Sequence, residues 1–307
     1  MDFGKLDNIE GVDFTLPNTH TFTTETLADA ALTSVTPSPK MEVYVGPPIW
    51  ANKEWVGKIY PTNAKDKDFL YHYTRQFNTI ELNVTHYQIP TDDTIDRWRD
   101  TAPDGFKYCP KWPQAISHDA QLVNVILPSD EFVRAVLGLE DKLGTTFLQL
   151  GPSFDTSKFS NLEFFLKALP KDFPIAVEFR HPSWFTDDYA WQRTLELFHE
   201  LGVGTVMSDV SGRRDVLHMA LTTPTLTLRF VGNELHPTDY SRTDEWLQRI
   251  RAWMEQGLQR VFIFIHTEDN TYSPELAKYW IEGFNAKMGL SVQPPEIRAQ
   301  VIQGELF

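Results

Sequence analysis

From residue 41 onward, short β-branched or aromatic runs alternate with longer amphipathic stretches. The runs occupy residues 43–46, 79–83, 106–110, 146–150, 175–179, 204–208, 226–230 and 261–265, and their length and composition predict eight strands. Between them, Leu162, Phe165, Leu166 and Leu169 fall at i, i+3, i+4 and i+7, and Trp246, Ile250 and Trp253 form a similar stripe. That spacing predicts helices with one buried face. Ser160 with Glu163 three residues later, and Ser273 followed by Pro274, mark two helix starts. Strand-then-helix repeats build parallel sheets, so the chain is expected to be an α/β protein, a single (β/α)8 TIM barrel. An open doubly wound sheet is the rival, because the sixth crossover, residues 209–225, is weakly helical. No Gly-rich phosphate fingerprint follows any strand, and no nucleotide cofactor is expected.

Residues 1–40 lack sustained periodicity and end in a Thr- and Pro-rich stretch, so they read as an N-terminal extension or arm outside the fold. The barrel is expected over residues 41–290, followed by a short C-terminal tail over 291–307.

Strand side chains alternate between two faces. In residues 79–85, Ile80, Leu82 and Val84 belong to the helix-facing set, which turns Glu81 and Asn83 inward. The same count turns Glu178 and Arg180 inward from residues 175–181 and Arg229 inward from residues 226–231. Gln149 and Lys111 follow by similar counting. Barrel interiors are normally aliphatic and buried charge is costly unless paired, so this inward set needs an explanation. A structural lattice of Glu81 and Glu178 against Arg180 and Arg229 is one. A ligand site is the other, since these positions lie near strand C-terminal ends, where barrel enzymes place their chemistry.

The lone cysteine, Cys109, excludes an internal disulfide and thiolate-rich metal clusters, and is expected to be helix-facing or buried in the third strand. No serine or cysteine sits in a nucleophile-elbow pattern. A net charge of −14 over 307 residues argues against a broad nucleic-acid surface. The first residues lack a basic and then apolar leader pattern, and no apolar run is long enough to span a bilayer. A cytoplasmic protein with no membrane partner is the expectation.

An ordered series of motifs resembles the YecE-like family, the domain of unknown function numbered seventy-two. It comprises Val43-Tyr-Val-Gly46 with Trp50, Glu54-Trp55-Val-Gly57 with Tyr60-Pro61, and Phe77-Asn-Thr-Ile-Glu-Leu-Asn83 with Tyr87 and Pro90. It continues through Phe106-Lys-Tyr-Cys-Pro-Lys111, Ser117-His118, Leu143-Gly144, Leu148-Gln149-Leu150, Pro152-Ser-Phe154 and Ala176-Val-Glu-Phe-Arg-His-Pro-Ser-Trp184. The resemblance implies a TIM barrel and leaves the activity unassigned. Pro47-Pro-Ile49, Val231 and Ile265-His266 depart from the family pattern in loops one, seven and eight.

Several chemistries fit the inward set. Glu81 and Glu178 form a candidate catalytic pair of acid and base, as in glycoside hydrolysis, although adjacent arginines lower both pKa values where an acid needs a raised one. Lys111, Arg180 and Arg229 form a candidate clamp for a phosphate or carboxylate, with Asn83, Gln149, Tyr87, His118, His181 and Trp184 completing a substrate site. His181, His266 and Asp209 are candidates for a divalent metal, which would suggest phosphoester hydrolysis. Trp50, Trp55 and Trp112 are further loop aromatics able to stack on a ligand, or to pack against the rim. At the C-terminus, Gln303, Leu306 and Phe307 resemble the Gln-x-x-Leu-Phe peptide that docks on a sliding clamp. Three readings therefore stand open. One is an enzyme or binding protein for a small anionic ligand, phosphorylated compounds included, hydrolytic if catalytic. Another is a clamp-tethered DNA-metabolism factor. The third is a non-catalytic scaffold with an ion-paired interior.

Overall fold

Each of the eight apolar runs forms a strand, and every ladder joining them is parallel. The computed structural model describes residues 4–33 and 41–298. In chain order the elements are α1 (Thr21–Thr33), β1 (Glu42–Gly46), α2 (Phe69–Tyr73), β2 (Thr79–Leu82), α3 (Asp92–Thr101), β3 (Lys107–Pro110), α4 (Ile126–Leu137), β4 (Thr146–Gln149) and α5 (Phe159–Ala168). They continue with β5 (Ile175–Glu178), α6 (Ser183–Thr186), α7 (Asp188–Leu201), β6 (Gly204–Asp209), β7 (Thr225–Val231), α8 (Pro237–Gln256), β8 (Arg260–His266) and α9 (Ser273–Met288).

Six strands form one sheet in the order β1-β8-β7-β6-β5-β4, and β2 pairs with β3 in a second ladder. Side chains and single bridges span the two seams between them. At β1 and β2, Asn78 takes the place of a backbone ladder: its Nδ2 donates to the Val43 carbonyl at 2.8 Å and its Oδ1 accepts from the Val45 N–H at 2.8 Å. Gly46 sits in this seam, where a Cβ would lie 2.0 Å from the Thr79 carbonyl oxygen, so only glycine permits the approach. At β3 and β4, isolated bridges join Tyr108 to Leu143 and Lys111 to Phe147.

The alternation read from sequence partitions the core. Leu226, Leu228 and Phe230 of β7 and Val261, Ile263 and Ile265 of β8 pack outward with Trp246, Ile250, Trp253 and Trp280 of the covering helices. The opposite face carries smaller clusters, Tyr44 with Cys109, Phe262 and Phe264, and Phe147 with Ala176 and Val206. Cys109 therefore points inward rather than toward a helix, as the parity of Lys111 two residues later requires. Burial pushes its thiol up to about 12, which makes it an inert packing group at neutral pH.

The described part of the segment expected as an arm, residues 4–33, packs against neighbouring elements. The crossover between β6 and β7 holds only one short turn, Arg214–Val216, and α1 packs where its helix would stand. Thr23 and Thr26 donate to the Met219 and Leu221 carbonyls of that crossover at 2.7 and 3.0 Å, and Phe22 meets His199 of α7 edge to face. Trp253 of α8 donates from Nε1 to Thr19 Oγ1 at 3.2 Å, and Leu27 is fully buried. Gly257, at φ +124°, lets the end of α8 approach α1, since a Cβ there would lie 2.3 Å from the Leu27 carbonyl oxygen. Periodicity missed this helix because threonine hydroxyls, rather than an apolar stripe, carry much of its contact face.

Within the stretch expected as a C-terminal tail, residues 291–298 are described. Asn285 brackets Val292 with two hydrogen bonds of 2.8 and 2.9 Å, and the Arg298 N–H donates to the Lys58 carbonyl at 2.9 Å. Residues 303–307, with Gln303, Leu306 and Phe307, lie outside the described residues.

Candidate functional site

The inward set converges at the C-terminal ends of the strands. Arg229 of β7 is the hub. Its Nε donates to Glu81 Oε2 at 2.9 Å and its Nη2 to Glu81 Oε1 at 3.1 Å, while Nη1 reaches both oxygens of Glu178 at 3.2 and 3.1 Å. Glu81 also accepts from Asn83 Nδ2 at 2.9 Å and pairs with His266 Nε2 at 2.8 Å. Glu178 accepts from Gln149 Nε2 at 2.7 Å, Ser208 Oγ at 3.0 Å and Arg180 Nε at 3.2 Å.

Both carboxylates are therefore buried with their oxygens occupied. Burial alone raises the Glu81 carboxyl, but Arg229 and His266 outweigh it and hold the group well below the usual carboxylate range. At Glu178 burial is likewise outweighed by Arg229 and Arg180, and the pKa falls to about 2. Both are ionised at neutral pH, which removes the protonated carboxyl that glycoside hydrolysis requires.

Above this network lies an open cavity of about 1300 Å³. Lys111, Arg180 and Arg229 line it; the two glutamates lie behind them. Lys111 differs from the arginines in its partners. It is 1% exposed, its ammonium donates to the neutral Gln149 Oε1 at 2.9 Å, and it forms no ion pair with a described carboxylate. Burial, then repulsion by Arg229, pull its pKa down to about 8. Among the described residues, Arg180 and Arg229 each pair with an inward carboxylate and Lys111 contacts none.

The remaining candidates divide. Asn83, Tyr87 and His266 line the cavity with Trp50, and Tyr87 is 75% exposed. Gln149 is a buried relay between Lys111 and Glu178. His118 stands beside the cavity floor, edge-on to His86, and burial followed by Lys111 and Arg180 lowers its pKa. His181 is a turn residue, its Nδ1 bonded to the Ser183 hydroxyl at 2.8 Å and accepting from the Ser183 N–H at 3.2 Å. Trp184 is not a stacking platform: it is fully buried, stacks on Phe154 and donates from Nε1 to the Phe154 carbonyl at 2.7 Å. Trp55 and Trp112 are equally buried.

Asp209 faces the opposite way from the cavity. It accepts from Trp246 Nε1 at 2.7 Å, pairs with Arg242 at 2.8 Å and pairs with Arg214. The neighbouring Ser208 is the inward residue of β6, so Asp209 must point outward to α8. Consequently His181, His266 and Asp209 do not meet, and among the described residues no three His, Cys, Asp or Glu side chains form a group able to hold a metal.

Three contributors escaped the sequence reading. Ser208 was legible by strand parity. His86, whose Nδ1 lies 2.8 Å from the Trp112 carbonyl oxygen and whose pKa burial and Lys111 lower to about 4, follows β2 in a one-turn helix with no regular parity. Lys5, Leu6 and Ile9 wall the cavity from the N-terminal segment. That segment is held by the Gly4 carbonyl, which accepts from the Gly212 N–H at 2.7 Å, and by an ion pair between Lys5 and Glu268.

Parallel strands under covering helices, with a cation-lined cavity where the strands end, define an α/β protein whose site is built from strand termini and the loops that follow. The chain belongs to the family described as Protein of unknown function DUF72, whose model matches residues 44–299. It is 29% identical over 252 residues to the UPF0759 protein YecE of Escherichia coli (strain K12), covering 76% of this chain and 89% of that protein. To the UPF0759 protein YunF of Bacillus subtilis (strain 168) it is 25% identical over 168 residues, 52% of this chain and 58% of that one. Among solved structures, a DUF72 family protein from Enterococcus faecalis superposes with a TM-score of 0.63 at 18% identity, covering 84% of this chain and 99% of that one. Another from Thermotoga maritima gives 0.58 at 23% identity, covering 80% and 98%. These structures share the fold. Among the described residues no helix is long and apolar enough to cross a membrane.

Proposed function

We propose that the two ladders close as one (β/α)8 barrel and that its mouth binds a small anionic ligand, carboxylate or phosphate, through Lys111, Arg180 and Arg229. Closure is supported by the Asn78 clamp across one seam, the bridges across the other, and α1 in the place of the sixth helix. The anion reading rests on one observation, the buried Lys111 ammonium that faces the cavity with a neutral amide as its hydrogen-bond acceptor. A lattice of ion pairs accounts for Glu81, Glu178, Arg180 and Arg229, but among the described residues it leaves this cation without a carboxylate, and buried charge is costly unless paired. An incoming anion supplies the missing charge. Glu81 and Glu178 then act by fixing the guanidinium of Arg229 rather than by moving protons.

Titration calorimetry with inorganic phosphate and with acetate is the test. Saturable binding at one site, lost in a folded Lys111→Met variant, supports the reading. Binding unchanged in that variant, or none of either anion to the intact protein, would sink it.

A further inference from the structure

Resting on that anion-site reading, we infer that Lys111 is the amine nucleophile of the cavity and condenses with the carbonyl carbon of a small 2-oxo carboxylate, whose carboxylate lies against Arg229 and Arg180. Three cationic groups line one cavity floor, and two of them are guanidiniums that stay protonated. Their mutual repulsion is relieved by proton loss from the third, the lysine, which is the general way a neighbouring cation and a dry wall activate an amine. Both conditions hold here. Lys111 is buried beside the Phe147 ring, at 5.9 Å from its centroid, and Arg229 is pinned by four hydrogen bonds to carboxylates. The Gln149 amide accepts from Lys111 at 2.9 Å and donates to Glu178 at 2.7 Å, which aims the nitrogen without giving it a counter-charge. With a pKa of about 8 rather than 10.5, the amine at neutral pH is neutral on the order of a hundredfold more often than an exposed lysine.

The step balances without a cofactor. The neutral nitrogen attacks the carbonyl carbon, the C=O π pair moves to oxygen, and a proton passes from nitrogen to that oxygen to give a carbinolamine. Loss of its hydroxyl with the second nitrogen proton releases one water and leaves a C=N bond to Lys111.

The experiment treats the full chain with pyruvate, and separately with glyoxylate, in the presence of sodium borohydride, then reads intact mass and maps the modified peptide. The expected result is one reduced adduct per chain, on Lys111, exceeding every other lysine by about tenfold or more, suppressed by added phosphate and missing from Lys111→Arg. If that variant fails to fold, the peptide map of the unaltered protein decides alone. An adduct spread over exposed lysines, or none, overturns the inference. Should phosphate still bind by calorimetry while no adduct forms, the anion site survives and only the condensation fails; if neither occurs, both fall.

Discussion

Arg229 and Glu81, 148 residues apart in the chain, meet through two parallel contacts, Nε to Oε2 at 2.9 Å and Nη2 to Oε1 at 3.1 Å. A planar guanidinium matches a carboxylate in this way and an ammonium cannot. The third nitrogen holds Glu178, so one side chain neutralises two buried acids. Arg229→Met strands both, and should lower unfolding stability by about 3–5 kcal/mol in urea titration. Arg229→Lys, keeping charge without the fork, should recover only part of that loss; full recovery would mean that charge alone matters.

Acid should loosen the same network. Glu178 has a folded pKa of about 2 against an ordinary 4.5, so its contribution is complete above pH 4.5 and is lost as pH falls toward 2. Glu81 shifts in the same direction. Stability measured from pH 6 down to 2 should therefore fall steeply. Glu178→Gln should be less stable at pH 6 and show a shallower fall; parallel curves would remove Glu178 as a cause.

Lys111 carries the opposite sign. Its folded pKa, about 8, lies below the ordinary 10.5, so the unfolded chain binds more protons between those values and stability rises with pH across that window. Lys111→Met should match or exceed the parent in stability at pH 7 and lack the rise. Loss of stability at pH 7 would show that the ammonium already has its compensation within the protein. Acetate, whose charge is constant from pH 6 upward, should bind the parent with little change up to about pH 7 and more weakly as pH rises through about 8.

The N-terminal helix is testable by one deletion of packing atoms. Leu27 is fully buried against α8, and Leu27→Ala should cost about 2–4 kcal/mol in the urea transition. A cost near zero would mean that α1 is dispensable to the core.

Strand positions and the facing of Glu81, Glu178, Arg229, Lys111 and Gln149 were legible because a period of two forces every second side chain to one side. The same rule applied to β6 would have separated Ser208 from Asp209. Trp184 misleads for a different reason: an aromatic after a strand looks alike whether it lines a mouth or caps the core, and only packing against Phe154 and Phe179 distinguishes them. The helix α1 was illegible because Thr23 and Thr26 read as polar although each satisfies a carbonyl inside the fold. Partner assignments within the site also lie beyond sequence, since no spacing tells which of three cations contacts no carboxylate among the described residues.

The wall formed by Lys5, Leu6 and Ile9 is tied to Gly212 after β6 and to Glu268 after β8. These residues thus find their anchors only at positions far along the chain, Gly212 and Glu268. A chain lacking β8 and the loop after it has neither Glu268 nor His266, and its Glu81 loses the His266 contact while keeping access to Arg229 and Asn83. The mouth is therefore completed by contacts of very long sequence separation, which form slowly, and any small molecule bound there would stabilise the finished protein without speeding its early assembly.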